Sequence, residues 1–177
     1  MDQSGSMAES IIYASVMGAI FAAIPAIKTH VVAFDTEVVD LTEMCENDPV
    51  DVLFGVQLGG GTDINKSVGY CSQFIENPKK SIFILISDLF EGGVEAGLVR
   101  KLTEMHEAGV KVIVLLALSD RGVPSYDDAL GRKIGAIGIP CFACTPDRLP
   151  ELIEAALKGK DLLAVSAEIK ASQKRQG

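Results

Sequence analysis

Residues 81–93 read SIFILISDLFEGG. Ser81–Ser87 is an unbroken apolar run of strand length, the pattern of a strand covered on both faces. It ends on a carboxylate, Asp88, and a glycine pair follows at Gly92-Gly93. A strand buried on both faces belongs to a sheet sandwiched by helices, so the neighbouring segments are expected to be helical.

Both flanks agree. Downstream, Leu98–Ala108 places Leu98, Leu102 and Met105 on one helical face and closes on Gly109. Val110–Leu118 (VKVIVLLAL) is a second continuous apolar strand. Tyr126–Ala136 reads as a helix, Pro140–Cys144 as a short strand and Asp147–Lys158 as a closing helix. Upstream, Asp63–Glu76 reads as a helix stopped by Asn77-Pro78, and Gly59–Gly61 break the chain before it. Asp48–Val56 is a helix with Asp48 as N-cap and Pro49 just inside its start. His30–Phe34 is a strand that Glu37–Leu41 continues as a hairpin. Strands alternating with helices of this length predict an α/β fold: a doubly wound, Rossmann-like, mostly parallel sheet with right-handed crossovers.

The chain has 177 residues, enough for one domain. The expected boundaries are a domain over 1–162 and a polar tail over 163–177, where Lys170, Lys174 and Arg175 collect in a frayed, solvated end. With 24 Asp+Glu against 16 Lys+Arg, the net charge of −8 argues against nucleic acid or an anionic membrane as partner. The apolar run over 11–27 is at the short limit for a membrane span. It carries Tyr13, Ser15, Gly18 and Pro25, and so reads as a buried helix. Four cysteines are too few for a disulfide scaffold, and a cytoplasmic protein is expected.

In a parallel α/β sheet, ligands bind beyond the carboxyl ends of the strands. Three segments there carry chemistry: Asp2-Gln3-Ser4-Gly5-Ser6, Thr62-Asp63 after the glycines, and Asp88. The candidate ligands Asp2, Ser4, Ser6, Thr62 and Asp88 are all hard oxygen donors. Such a set suits Mg²⁺, with Mn²⁺ as the substitute. A loop plus helix N-cap is the plainer reading of DQSGSM taken alone.

These residues resemble the metal-ion-dependent adhesion site of the von Willebrand factor A (VWA) domain. That family carries Asp-x-Ser-x-Ser, a Thr in a second loop and an Asp after a third strand, here Asp2-x-Ser4-x-Ser6, Thr62 and Asp88. The stretches DQSGSMAES, FDTEVVDLTE, QLGGGTDI, SDLFEGG and FACTPDRLPEL resemble the bacterial CoxE-like group. The resemblance implies a non-catalytic interaction module whose hydroxyls and carboxylates bind the ion. A partner's Glu or Asp carboxylate completes the coordination, and a MoxR-type AAA+ ATPase is the implied partner.

That family also places a central strand immediately before the first Asp, whereas here only Met1 precedes Asp2. A gap is therefore expected between His30–Phe34 and Ser81–Ser87, with poor stability, rearrangement or dimerisation through the exposed edges. The enzyme alternative is a Mg²⁺-dependent phosphohydrolase or a nucleotide-binding Rossmann-like domain. It lacks GxxxxGK[ST], GxGxxG and any Lys or Arg in the glycine loop. Cys141-Phe-Ala-Cys144 reads as packing, not as zinc or redox chemistry. Neither His30 nor His106 has a nucleophile in context for a triad. Asp35 and Glu91 read as solvated loop carboxylates, with a place bordering the metal site as the alternative for each, and Asp63 as the cap of the helix from Ile64.

Overall fold

Strand β4 (Lys111–Leu116) divides the molecule into two apolar layers. Its alternate side chains Val112, Val114 and Leu116 face one cluster, whereas Ile113 and Leu115 face another. Period-two alternation thus gives both faces of one strand a core to bury. The computed structural model describes residues 1–25, 27–46, 48–56, 58–119 and 125–173.

The first layer holds α1 (Ile11–Ala22), α7 (Leu149–Leu157) and α8 (Leu162–Gln173). They contribute Tyr13, Met17, Leu149, Leu152 and Ile169. The second holds α4 (Ile64–Ser72), α5 (Glu95–Glu107) and α6 (Asp128–Ala136), with Val68, Leu98, Leu102, Met105, Leu130 and Ile134 inward. Between them β3 (Ile82–Ser87) pairs in parallel with β4, and β4 with β5 (Cys141–Ala143). Strands β1 (Val32–Phe34) and β2 (Val38–Asp40) form an antiparallel hairpin. Beside it, α2 (Thr42–Cys45) and α3 (Pro49–Gly55) cover a third, smaller apolar cluster around Leu41 and Leu53. The α/β architecture is the expected one.

The expected gap is closed at one end. Met1, Asp2 and Gln3 lie between β1 and β3 and make the hydrogen bonds of a short parallel strand. Phe34 N–H donates to the Met1 carbonyl at 3.1 Å, Gln3 N–H to Phe34 at 2.8 Å, and Asp2 N–H to Ile86 at 2.9 Å. The Met1 ammonium continues the ladder to the Val32 carbonyl at 2.8 Å, and burial lowers its pKa. Below Met1 the slot is open: a cavity of about 310 Å³ is lined by residues 28–32 on one side and 80–86 on the other. Odd-numbered residues of β3 bond toward β4, as the Ser87 and Ser81 carbonyls do with Ala117 and Lys111. The Ile82 and Ile84 peptide groups therefore face the slot.

The stretch expected to fray as a polar tail is helical to Gln173, because Ile169 is buried with Leu162 and Val165 against the first layer. Residues 174–177, with Lys174 and Arg175, lie outside the described residues, as does residue 26 of the expected 11–27 helix. Helix α1 stops at Ala22, and no helix among the described residues is long and apolar enough to cross a membrane. Helix α4 ends at Ser72, short of Glu76, where the bonds tighten to i→i+3 (Phe74 N–H to Cys71 at 3.1 Å). Asp48 caps α3 by accepting from Val50 and Asp51 N–H, both at 3.1 Å. Asp48→Ala is expected to cost about 1 kcal/mol of stability in urea unfolding.

Strand alternation also separates the two cysteines of CFAC. Cys144 is buried in the first layer with Phe142, whereas Cys141 packs on the second, toward α6. Opposite faces of one strand cannot chelate one ion or form a disulfide. Burial pushes the Cys144 thiol up to about 12. Native protein at pH 8 is expected to leave Cys144 unalkylated, and denatured protein to label it, as read by mass spectrometry.

Candidate metal centre

The peptide ladder that holds Met1–Gln3 also fixes the Asp2 carboxylate, which is fully buried. Its Oδ1 accepts from Ser4 N–H at 3.0 Å and its Oδ2 from the Ser87 hydroxyl at 2.6 Å. Burial raises its pKa, opposed by these hydrogen bonds from Ser87 and Ser4. The sequence alone gives Ser87 no functional reading. The signal was a hydroxyl at the buried end of an otherwise apolar strand, where it must find a polar partner.

Beyond Ser87 the chain turns sharply. Leu89 has φ +61°, a left-handed conformation unfavourable for a side chain of its size, yet it is fully buried in the second layer. Its N–H donates to the Ser87 hydroxyl at 2.9 Å. The turn sets Asp88 beside Asp2. Asp88 Oδ1 accepts from Phe90 N–H at 3.1 Å, and the nearby Ser6 hydroxyl favours the charged form of this carboxylate. Asp88 Oδ2 is buried and has no hydrogen-bond partner among the described residues. Burial raises the Asp88 pKa, and the nearby Asp2 charge adds to the rise.

The hydroxyls of Ser4 and Ser6 lie 3.0 Å apart. Neither caps a helix: Ser4 precedes the 3₁₀ turn Gly5–Met7 without a side-chain cap bond, and α1 starts after Ser10. The plainer reading of DQSGSM as loop and cap therefore does not account for them. Asp2, Ser4, Ser6 and Ser87 form one hydrogen-bonded group, with Asp88 next along the chain from Ser87. Thr62 joins it through the backbone. Gly5 N–H donates to the Gly60 carbonyl at 2.8 Å, and Gly92 N–H to the Thr62 carbonyl at 3.0 Å. A Cβ at Gly92 would stand 2.5 Å from that carbonyl, so the third loop reaches Thr62 only with glycine there.

The rim differs from the sequence reading. Asp35 is buried, accepting from Glu37 N–H at 2.7 Å and Gly60 N–H at 2.9 Å. Glu91 is half-buried and accepts from Gly93 at 2.8 Å and Asn65 at 3.2 Å. Both are structural ties between loops, not solvated acids, because a loop packed against another must satisfy its N–H groups internally. Asp63 caps α4 as expected, accepting from Lys66 N–H at 2.8 Å. Lys66 itself turns away from the glycine loop, to the Thr36 carbonyl at 2.7 Å and to Glu37. His30 stacks on Phe74 with centroids 4.3 Å apart.

Two buried carboxylates sit together; the buried Met1 ammonium acts on Asp2 only as the smallest influence on its pKa, and among the described residues no Lys, Arg or His forms an ion pair with either. Buried charges normally have a counter-charge or a metal. No group of three or more His, Cys, Asp or Glu that could hold a metal occurs among the described residues, so the donor set depends on its hydroxyls. Oxygen donors of mixed charge, with one buried carboxylate oxygen unpartnered among the described residues, fit a hard cation.

Comparison with known proteins shows the family and the fold. The family profile of the VWA domain containing CoxE-like protein matches residues 1–153. The uncharacterized protein YehP of Escherichia coli (strain K12) is 45% identical over 149 residues, which cover 84% of this chain and 39% of that relative. The chain thus spans well under half of that relative's length. The fold is shared with an aerotolerance-related membrane protein from Bacteroides fragilis NCTC 9343 (TM-score 0.62, 14% identity, 96% of this chain and 94% of that one). It is shared equally with BatB from Bacteroides thetaiotaomicron (TM-score 0.62, 16% identity, 98% and 96%). A von Willebrand factor type A structure from Catenulispora acidiphila aligns at TM-score 0.61 and 18% identity, over 94% and 40%. The chain belongs to the CoxE-like family of VWA domain proteins.

Proposed function

We propose that this VWA domain is a metal-ion-dependent protein-interaction module that docks an acidic side chain of a partner, a MoxR-type AAA+ ATPase being the partner the family resemblance implies. The observation that carries this reading is the buried Asp88 Oδ2, without a hydrogen-bond partner among the described residues, near the buried Asp2 carboxylate. The hydroxyls of Ser4, Ser6 and Thr62, with Asp2 and Asp88, are the residues that would hold Mg²⁺ or Mn²⁺. When bound, the ion supplies a positive centre that accepts an anionic oxygen from the partner. Ser87 and Ser4 N–H hold the Asp2 carboxylate in one orientation. Phe90 N–H does the same for Asp88, so the chain pre-organises the site at little entropic cost on binding.

The reading assigns no catalytic step. Metal-dependent phosphate release from a phosphate ester, lost in Asp2→Asn, would move the protein to the hydrolase class. The direct test is binding to the MoxR-type ATPase with and without chelator. Binding is expected in Mg²⁺ and is expected to disappear in excess EDTA and in Ser4→Ala. Binding that persists under both conditions contradicts the proposal.

A further inference from the structure

We infer that Asp35 is a positioning residue for Thr62 and, through it, for divalent-cation affinity; this rests on the metal-site reading above. Asp35 follows β1 and is 7% exposed. Its side-chain Oδ2 accepts from Gly60 N–H at 2.9 Å. Its main-chain carbonyl accepts from Asp63 N–H at 2.9 Å. Thr62 lies between Gly60 and Asp63, so a single residue holds the chain on both sides of it.

The hold is tight and directional. A Cβ at Gly60 would lie 2.5 Å from Asp35 Oδ2, so the carboxylate approaches the loop only because residue 60 is glycine. The other oxygen, Oδ1, accepts from Glu37 N–H at 2.7 Å, which locks the carboxylate plane. From Gly60 the constraint passes on, since its carbonyl accepts from Gly5 N–H at 2.8 Å, between Ser4 and Ser6. Asp35 thus reaches three of the five candidate ligands without being one of them.

The residue type matters. Both oxygens accept from backbone N–H groups, and only a carboxylate offers two acceptors in that plane. An amide of the same size supplies one acceptor and one donor, so it must lose either the Gly60 or the Glu37 bond. Changes one shell out from a metal typically weaken its binding about 10–100-fold.

The experiment measures Mn²⁺ affinity by paramagnetic resonance and Gly60 amide exchange by NMR, on the full chain. Asp35→Asn is expected to weaken Mn²⁺ binding about 10-fold or more and to speed Gly60 exchange about 10-fold. Glu37→Gln removes the same charge from a side chain 78% exposed, and is expected to leave both readouts unchanged. Wild-type Mn²⁺ affinity in Asp35→Asn, or an equal loss in Glu37→Gln, overturns the inference. If the wild type takes up no Mn²⁺, the metal reading fails by itself, and the exchange arm still decides the positioning role. Faster exchange at Gly60 in Asp35→Asn then upholds that role, and unchanged exchange overturns it.

Discussion

Asp88→Asn is expected to remove the stabilisation that Mg²⁺ confers and, in EDTA, to make the protein more stable than the wild type. Without a cation the wild-type site holds two buried carboxylates near each other, one with an oxygen that has no hydrogen-bond partner among the described residues. Leaving such a group buried costs about 1–3 kcal/mol, more when charged. Asparagine keeps the Oδ1 acceptor for Phe90 N–H and removes the buried charge that the nearby Asp2 carboxylate opposes. In a domain of this size a gain of 1–2 kcal/mol raises the melting temperature by roughly 2–8 °C. The same change deletes a charged metal ligand, so Mg²⁺ should no longer shift the unfolding curve. Thermal unfolding of both proteins, each in EDTA and in Mg²⁺, reads the two effects together. A variant that melts lower in EDTA would mean that Asp88 supports the fold itself, and that its environment was not kept for a cation.

The second large effect concerns the slot below Met1. Four residues alternating Val and Ile, added ahead of Met1, should enter the slot as a parallel strand and stabilise the domain by about 3–6 kcal/mol. The upper bound comes from the cavity: at ~24 cal/mol per Å³, 310 Å³ corresponds to about 7 kcal/mol. Burying four such side chains contributes roughly 1.5–3 kcal/mol each, and ordering the residues takes back about 1–2 kcal/mol each for the backbone. The added peptide groups would also meet Ile82 and Ile84, and the Met1 nitrogen would become an uncharged amide in place of a buried ammonium. A Gly-Ser-Gly-Ser extension supplies the peptide groups without the side chains and should gain little. Urea unfolding measures the difference. If the apolar extension stays open to proteolysis and leaves the midpoint unmoved, the slot does not accept a strand.

Most of the scaffold was legible because its signals are local. The continuous runs SIFILIS and VKVIVLLAL require cover on both faces, and the Leu98, Leu102, Met105 spacing gives the helix that supplies part of it. Asp48 and Asp63 act as caps because their position ahead of a helix leaves backbone N–H groups to satisfy. The five candidate oxygen donors can be named from the sequence, since each follows or precedes a strand or glycine break. What stayed hidden is long-range. Asp35 looks like an exposed loop acid until Gly60 packs on it from 25 residues away. Ser87 reads as the end of a strand until Asp2 reaches it from 85 residues away. Residue 163 onward loses its apolar period, yet Ile169, with Leu162 and Val165 beside it, packs α8 against the first layer. The slot's partial closure by Met1–Gln3 depends on register between three segments that no window of sequence contains.

The central claim is that Asp2, Ser4, Ser6, Thr62 and Asp88 hold one divalent cation. Calorimetric titration of Mg²⁺ and Mn²⁺ into the full chain tests it most directly. Saturable uptake of one ion per chain that Asp88→Ala abolishes is the expected result. No uptake, or uptake that Asp88→Ala leaves intact, would contradict it.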